Sequence, residues 1–198
     1  MKDFYTSIFN AGCLKFGQFK LKSGIVSPVY VDFRLLVSRP ELLRQIGCRV
    51  ADRAAEIGCD RLAAIPYAGI PIGVAACLTG GIPLIYTRKE AKQYGTGNLI
   101  EGDFQAGERV LVVDDVITDG ASKIEAIEPL KEAGLIVTDV LVLLDREQGG
   151  ARILEREGYR LHSLGTLSEA MKSLEEQQLI DGETRRRVEE FIAANQFA

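Results

Sequence analysis

The chain has 198 residues, of which 46% are hydrophobic and 26% are charged, and its net charge is −4. This composition is typical of one soluble globular domain, and it excludes disordered, collagen-like and coiled-coil chains. The negative balance also argues against nucleic-acid binding, which needs a basic surface.

The N-terminus and the cysteines favour a cytoplasmic location. Asp3 stands where a secretory signal peptide would carry apolar residues. The four cysteines are widely spaced without a CxxC pair, and a single histidine leaves too few ligands for zinc. We interpret the cysteines as small, buried, hydrophobic side chains in a reducing compartment.

The first elements in chain order predict a small N-terminal subdomain over about residues 1–38. A helix near 3–11 ends at Gly12, and the segments Phe19–Leu21 and Val29–Phe33 form a hairpin. Next, an S-x-x-E capping box at Ser38 is expected to begin a helix that Gly58 ends.

Apolar runs of strand length alternate with helical patterns through the rest of the chain. The runs are Leu62–Pro66, Pro83–Thr87, Val110–Asp114, Val137–Asp145 and Arg160–Leu164. This alternation predicts a parallel sheet with helices on both faces. The uncharged stretch 62–87 has the length of a membrane span, but its prolines and glycines favour strand, short helix and strand, so we expect no membrane association.

Helix signals also mark the second half of the chain. Pro129 falls inside a helix expected from about 121 to 132, so that helix should be kinked or begin late. A capping box at Thr166 and a cap at Asp181 predict two helices in a C-terminal tail of about 166–198.

The strongest functional signal is the segment 110–122, VLVVDDVITDGAS. Asp114 and Asp115 end a buried strand, at the edge where open α/β sheets bind ligands, and a turn of small and hydroxyl residues leads into a helix. Backbone N–H groups of Thr118 to Ser122 can hold a phosphate while the carboxylates accept sugar hydroxyls, which suits a ribose phosphate. A response-regulator pocket also uses paired acids, but there the acids come early in the chain.

This segment resembles the phosphoribosyl-pyrophosphate (PRPP) motif of type I phosphoribosyltransferases. The segments 19–31 (FKLKSGIVSPVYV), 88–96 (RKEAKQYGT) and 144–150 (LDREQGG) narrow the resemblance to orotate phosphoribosyltransferases, and most closely to the domain of that family in UMP synthases. The resemblance implies an α/β type I phosphoribosyltransferase fold: one domain over 1–198, with a mostly parallel central sheet and the N-terminal subdomain as a hood.

The reaction implied by the resemblance transfers phosphoribosyl from PRPP to orotate, giving orotidine 5′-phosphate and pyrophosphate. Mg²⁺ is the implied cofactor, held by substrate and water without a direct protein ligand. The loop 88–98 would reach the site of a second subunit, which implies a homodimer. An orotidine-5′-phosphate decarboxylase, fused or associated, is a further implied partner.

The resemblance also assigns site residues. The catalytic set is Lys92, Arg88, Lys89, Asp114 and Asp115. The PRPP-binding set is Lys22, Tyr67, Ala68, Arg88, Lys89, Lys92, Tyr94, Asp114, Asp115, Val116, Ile117, Thr118, Asp119, Gly120, Ala121 and Ser122. The orotate-binding set is Lys22, Tyr30, Val31, Thr118 and Arg146. A guanidinium suits the carboxylate that distinguishes orotate from uracil, although an ion pair of Arg146 with Asp145 or Glu147 is an alternative.

Three positions depart from the family pattern. Many bacterial members have histidine at Tyr94 and some have lysine at Ala68, so we expect weaker PRPP contacts and greater dependence on the loop lysines. Members usually have a small neutral residue at Asp119, whose carboxylate must point away from the phosphate or reduce its affinity. A non-catalytic PRPP sensor, or transfer to another base such as a purine, therefore stays open.

Overall fold

The computed structural model describes residues 2–20, 24–88 and 99–197. The helices are α1 (Lys2–Asn10), α2 (Pro40–Ile57), α3 (Gly69–Gly80), α4 (Ala121–Glu132), α5 (Gly150–Arg156), α6 (Leu167–Glu176) and α7 (Gly182–Ala194). The strands are β1 (Leu14–Lys20), β2 (Val26–Val31), β3 (Arg61–Ala64), β4 (Leu84–Thr87), β5 (Ile100–Glu101), β6 (Arg109–Ile117), β7 (Ile136–Asp145) and β8 (Arg160–Ser163). The predictions for Lys22, Lys89, Lys92 and Tyr94 lie outside the described residues.

Six strands form the central sheet in the order β5-β4-β3-β6-β7-β8. The neighbouring strands β4, β3, β6, β7 and β8 pair in parallel. The edge strand β5 pairs antiparallel with β4. All five predicted strands are present, and the prediction of a mostly parallel sheet is confirmed. The central pair β6 and β7 is apolar along most of its length, because helices cover both faces of the sheet.

Two hydrophobic clusters lie on the two faces of the sheet. The larger cluster joins α1, α2, α3, α6 and α7, with Ile8, Ile46 and Met171 fully buried. The smaller cluster joins α4 and α5 through Ile127 and Leu154. Because the N-terminal and C-terminal helices share the larger cluster, α1 packs directly against α6, where the Tyr5 hydroxyl donates to Glu169 Oε2 at 2.6 Å.

The predicted N-terminal hairpin is confirmed as the two-stranded antiparallel sheet β1–β2. Its strands are longer than the sequence indicated, since β1 begins at Leu14 and β2 at Val26. The ring of Tyr30 stacks on Phe19 with centroids 5.5 Å apart. The hairpin is separate from the central sheet, and α7 packs against β2.

The helix caps are only partly as predicted. The Thr166 capping box and the Asp181 cap are both present. The Ser38 box is wrong, because Ser38 ends a 3-10 helix, Phe33–Ser38, and α2 begins at Pro40 after Arg39. Proline suits the first helical position, where its fixed φ is helical and its missing N–H has no partner to lose.

Two further sequence predictions are settled by the helices. The uncharged stretch 62–87 is β3, α3 and β4 as expected, and no helix in the described ranges has the length and apolar character of a membrane span. α4 begins at Ala121 and contains Pro129, so a late start is wrong. Of the four cysteines, Cys13 is buried and the other three are half-buried, which corrects the expectation that all are buried.

Candidate active site

The carboxyl ends of β3, β4 and β6 surround a cavity of about 440 Å³. Asp114 and Ser122 line it from the β6–α4 segment, and Ile65 and Pro66 line it from the loop after β3. Arg88 and Leu99, at the two ends of the 88–98 loop, complete its wall. The predicted carboxylate therefore lies in a crevice bordered by both ends of the predicted cationic loop.

The two aspartates of the motif have different surroundings. Asp114 is buried, its Oδ1 accepts the Asp115 backbone N–H at 2.8 Å, and its Oδ2 lies 2.6 Å from Lys123 Nζ. Asp115 is half-buried, and its Oδ1 accepts the Val116 N–H. Burial and the neighbouring Asp114 charge raise the pKa of Asp115 to about 7. Asp115 therefore takes up a proton near neutral pH, well above the range of an ordinary aspartate.

The glycine-containing turn after β6 is shaped by Gly120 and Asp119. Gly120 caps α4 with φ 84°, a left-handed conformation that side chains other than glycine rarely adopt. Asp119 Oδ1 accepts the Ala121 N–H at 3.1 Å. The carboxylate therefore turns towards the backbone of the loop, where it occupies one of the N–H donors expected for a phosphate.

Arg146 lies at the end of β7 and is 8% exposed. Within the described part of the chain, its Nε and Nη2 are buried without a hydrogen-bond partner. Asp145 instead accepts the Glu147 N–H, and Glu147 Oε2 accepts the Ser168 N–H. Burial lowers the pKa of the Arg146 guanidinium. Burying a cation without an acceptor costs free energy in the free protein. A carboxylate ligand that pairs with the cation would recover part of that cost, so the site should bind a carboxylate strongly.

The loops that follow β3, β6 and β7 are in direct contact. A Cβ on Gly69, the first residue of α3, would lie 2.7 Å from the Val113 carbonyl oxygen, so glycine permits this approach. The Arg146 N–H donates to the Ile117 carbonyl at 3.1 Å, and the Gly150 N–H donates to the Thr118 carbonyl at 2.9 Å. The segment that carries Arg146 is thereby fixed against the aspartate motif.

The chain is similar in sequence to known proteins of one family. The chain is 44% identical over 194 residues to uridine 5′-monophosphate synthase of Bos taurus, covering 97% of this chain and 40% of that protein. It is 39% identical over 176 residues to orotate phosphoribosyltransferase of Pyrococcus horikoshii, covering 87% of this chain and 95% of that protein. The chain belongs to the orotate phosphoribosyltransferase family. No protein-family model matches it.

A solved structure agrees with this assignment. UMP synthase of Leishmania donovani superposes with a TM-score of 0.90 at 34% identity, covering 98% of this chain and 42% of that one. The predicted type I phosphoribosyltransferase fold is therefore confirmed. The chain spans about 40% of the length of the UMP synthases that it matches.

Most of the described residues predicted for the family site lie in these loops. Asp114, Asp115 and residues 118–122 surround the β6–α4 turn, and Arg146 is tied to it. Ile117 is fully buried, so only its backbone faces the turn. Tyr67 is exposed and Ala68 precedes α3. Tyr30 and Val31 lie in the hood hairpin, where the Tyr30 hydroxyl accepts from Arg34 Nη2 at 2.9 Å.

Sequence reasoning missed Lys123 at the family's PRPP motif. Lys123 is 5% exposed, and its Nζ contacts Asp114 and also donates to the Val116 carbonyl at 2.6 Å. Its spacing of four and seven residues from the buried Ile127 and Leu130 was the available signal, because such positions share one helix face. A lysine on that face must find an acceptor, and Asp114 is that acceptor.

We expect Lys123→Met to lower the free energy of unfolding by about 3–5 kcal/mol, because it leaves the Asp114 carboxylate buried without its cation. Urea denaturation measures this loss. Lys131→Met is the matched control, since its ion pair with Glu128 on the same helix is exposed to solvent and therefore contributes little to stability. Equal losses for the two variants would contradict a structural role for the buried pair.

The single histidine of the chain, His162, lies in β8. His162 Nε2 lies 2.7 Å from Asp139 Oδ1, and Arg160 also contacts that carboxylate. Asp139 lies near the amino end of β7, whereas the family site follows the carboxyl ends of the strands. His162 is therefore part of a charge cluster away from the cavity.

Proposed function

We propose that this chain transfers the phosphoribosyl group of PRPP to orotate, releasing pyrophosphate and giving orotidine 5′-phosphate for pyrimidine synthesis. The observation that carries the proposal is the buried Arg146 beside the aspartate motif, whose Nε and Nη2 have no hydrogen-bond partner among the described residues. Orotate has a carboxylate to pair with it, whereas hypoxanthine and adenine have none. Family membership supports the same acceptor.

Both substrates are anions, so the site needs positive groups near the phosphates and the orotate carboxylate, and carboxylates only at the ribose hydroxyls. Asp114 and Asp115 are assigned to the ribose hydroxyls, and the backbone N–H groups of residues 118–122 to the 5-phosphate. Lys123 neutralises one of the two carboxylates, which reduces their repulsion of PRPP. Arg146 is assigned to the orotate carboxylate, with Tyr30 and Val31 from the hood beside the base.

Mg²⁺ is the proposed cofactor. Across the described ranges, no three histidine, cysteine or acidic side chains converge as a metal site. The donor set at the cavity is two adjacent carboxylates, one already paired with Lys123, which suits an ion held by pyrophosphate, ribose oxygens and water. When bound, the ion would stabilise the charge that develops on the departing pyrophosphate.

The loop 88–98 is proposed to supply cations to the same leaving group. Lys89 and Lys92 belong to it, and Arg88 at its base already lines the cavity. Closure of the loop would exclude water and protect the activated ribose from hydrolysis. The protein is proposed to act in the cytoplasm, beside a fused or separate orotidine-5′-phosphate decarboxylase.

A homodimer is also proposed. The helix α3, which begins next to the site, exposes Leu78 and Val74 to solvent, with Leu78 80% exposed. Exposed apolar side chains that lie one turn apart on the same helix are typical of a surface that another chain covers. A second copy of this chain is the proposed occupant, as the family resemblance implies.

We expect Asp119→Asn to lower the KM for PRPP about fivefold, since removing one like charge near a phosphate gains about 1 kcal/mol in water. Asparagine keeps the oxygen that accepts the Ala121 N–H and loses only the charge. Initial rates at varied PRPP measure the change. Asp52→Asn, at an exposed position on α2, is the control. An unchanged KM would show that the Asp119 charge does not face the phosphate.

The turnover experiment mixes the protein with orotate, PRPP and Mg²⁺ and follows orotate consumption and pyrophosphate release. We expect both at equal rates, a slower reaction for Lys92→Ala, and no change for Lys172→Ala on the exposed face of α6. Binding of PRPP without orotate loss would favour the sensor. Consumption of hypoxanthine in preference to orotate would favour a purine enzyme.

A further inference from the structure

The last described residues of the chain lie across the loop that follows Arg146. The Phe197 N–H donates to the Gln148 carbonyl at 2.8 Å, and Gln148 Nε2 donates to the Asn195 carbonyl at 3.0 Å. Gln196 Nε2 donates to the Glu147 carbonyl at 2.8 Å. Arg152 Nη2 lies 3.1 Å from Gln196 Oε1 and 3.2 Å from the Phe197 carbonyl. Residues 195–197, here called the C-terminal clasp, thus bind residues 147–152.

The packing between clasp and loop is tight. Gln148 is 2% exposed, although it is polar and lies in a surface loop. Gly149 has φ 108°, and a Cβ there would overlap the backbone of Phe197. Glycine at 149 therefore allows both the left-handed turn and the close approach of the clasp.

The loop itself is held in an unfavourable conformation. Glu147 has φ 59°, a left-handed conformation that is unfavourable for a residue with a Cβ. Its carbonyl accepts from Gln196, and its carboxylate accepts from the Ser168 N–H. These contacts hold the residue that directly follows Arg146, so loosening the clasp would let the loop relax and move the Arg146 side chain.

We propose that the C-terminal clasp is a positioning element for orotate, holding the Arg146 guanidinium where the base carboxylate binds. This inference rests on the proposed function. A preorganised cation binds its ligand without a further ordering penalty, so the clasp contributes to affinity for orotate while touching neither substrate. PRPP is assigned to the turn after β6, and among the described residues the clasp bonds to residues 147–152 rather than to that turn. Loss of the clasp should therefore change the affinity for PRPP much less than the affinity for orotate.

The test compares Gln196→Ala, and a truncation after Ala194, with the unaltered chain. We expect the KM for orotate to rise about tenfold on loss of the clasp hydrogen bonds, with the KM for PRPP within twofold of the original. Gln45→Ala, exposed on α2, is the matched control and should change neither value. Orotate binding by calorimetry gives the same comparison without turnover.

A double-mutant cycle separates positioning from general stability. In an Arg146→Met background the truncation should leave the KM for orotate unchanged, because the side chain that the clasp positions is absent. A parallel rise in both KM values, or an equal effect in both backgrounds, would overturn the inference. Should the truncated chain fail to fold, Gln196→Ala alone decides. An unaltered chain that neither binds nor consumes orotate would instead refute the proposed function.

Discussion

Arg146→Met is expected to lower kcat/KM for orotate by about 10²- to 10³-fold, since truncating one partner of a buried charge pair costs about 3–4 kcal/mol. The same substitution should leave the free protein as stable as before or more stable. The guanidinium is buried with Nε and Nη2 unpartnered within the described part of the chain, and methionine fills a similar volume without a charge to desolvate. Function and stability should therefore change in opposite directions.

Steady-state rates with orotate and urea denaturation measure the two effects of Arg146→Met. Arg156→Met, at an exposed position on α5, is the matched control and should change neither. If Arg146→Met destabilises the protein by several kcal/mol, Arg146 has a structural partner and its assignment to the orotate carboxylate loses its basis.

Asp115→Asn is expected to lower kcat/KM for PRPP by about 10- to 100-fold, the effect of losing a charged acceptor for the ribose hydroxyls. The KM for orotate should change much less, because Arg146 and the hood are untouched. Rates at varied PRPP and saturating orotate measure the loss. A variant with unaltered PRPP kinetics would remove Asp115 from the site.

The stability of Asp115→Asn should depend on pH in a defined way. The pKa of Asp115 is raised to about 7 by burial and by Asp114, while an unfolded aspartate has a pKa of about 4. Between these values the folded chain binds more protons than the unfolded chain, so this group lowers stability as pH rises from about 4 to about 7. The variant should therefore be more stable than the original chain at pH 8, with the difference shrinking at pH 5. A difference that grows towards pH 5 would contradict the raised pKa.

The central sheet, and the edge of it that binds ligands, can be predicted from the sequence because neighbouring residues carry the relevant patterns. The apolar run of β6 predicts a buried strand, and Asp114 and Asp115 at its end predict the edge that binds ligands. The Thr166 box places α6 in the same way. Ser38 misled because the same S-x-x-E pattern fits a 3-10 turn followed by proline, and only the packed chain distinguishes them.

The details of the site depend on contacts between distant segments, which no local pattern encodes. The clasp joins Gln196 to Glu147, 49 positions apart in the chain. Among the described residues, Arg146 Nε and Nη2 have no hydrogen-bond acceptor, while the neighbouring carboxylates of Asp145 and Glu147 accept backbone N–H groups. The contacts of Lys123 and Asp119 are local, because both residues lie in or next to the motif. The sequence still does not show which acceptor Lys123 uses or which N–H Asp119 accepts, because the geometry of the turn decides both.

A crystal structure of the chain with orotate and a non-hydrolysable PRPP analogue would show where both substrates bind. We expect the 5-phosphate on the N–H groups of residues 118–122, the ribose hydroxyls on Asp114 and Asp115, and the orotate carboxylate paired with Arg146. Orotate bound with its carboxylate away from Arg146, or the sugar bound away from both aspartates, would contradict this arrangement.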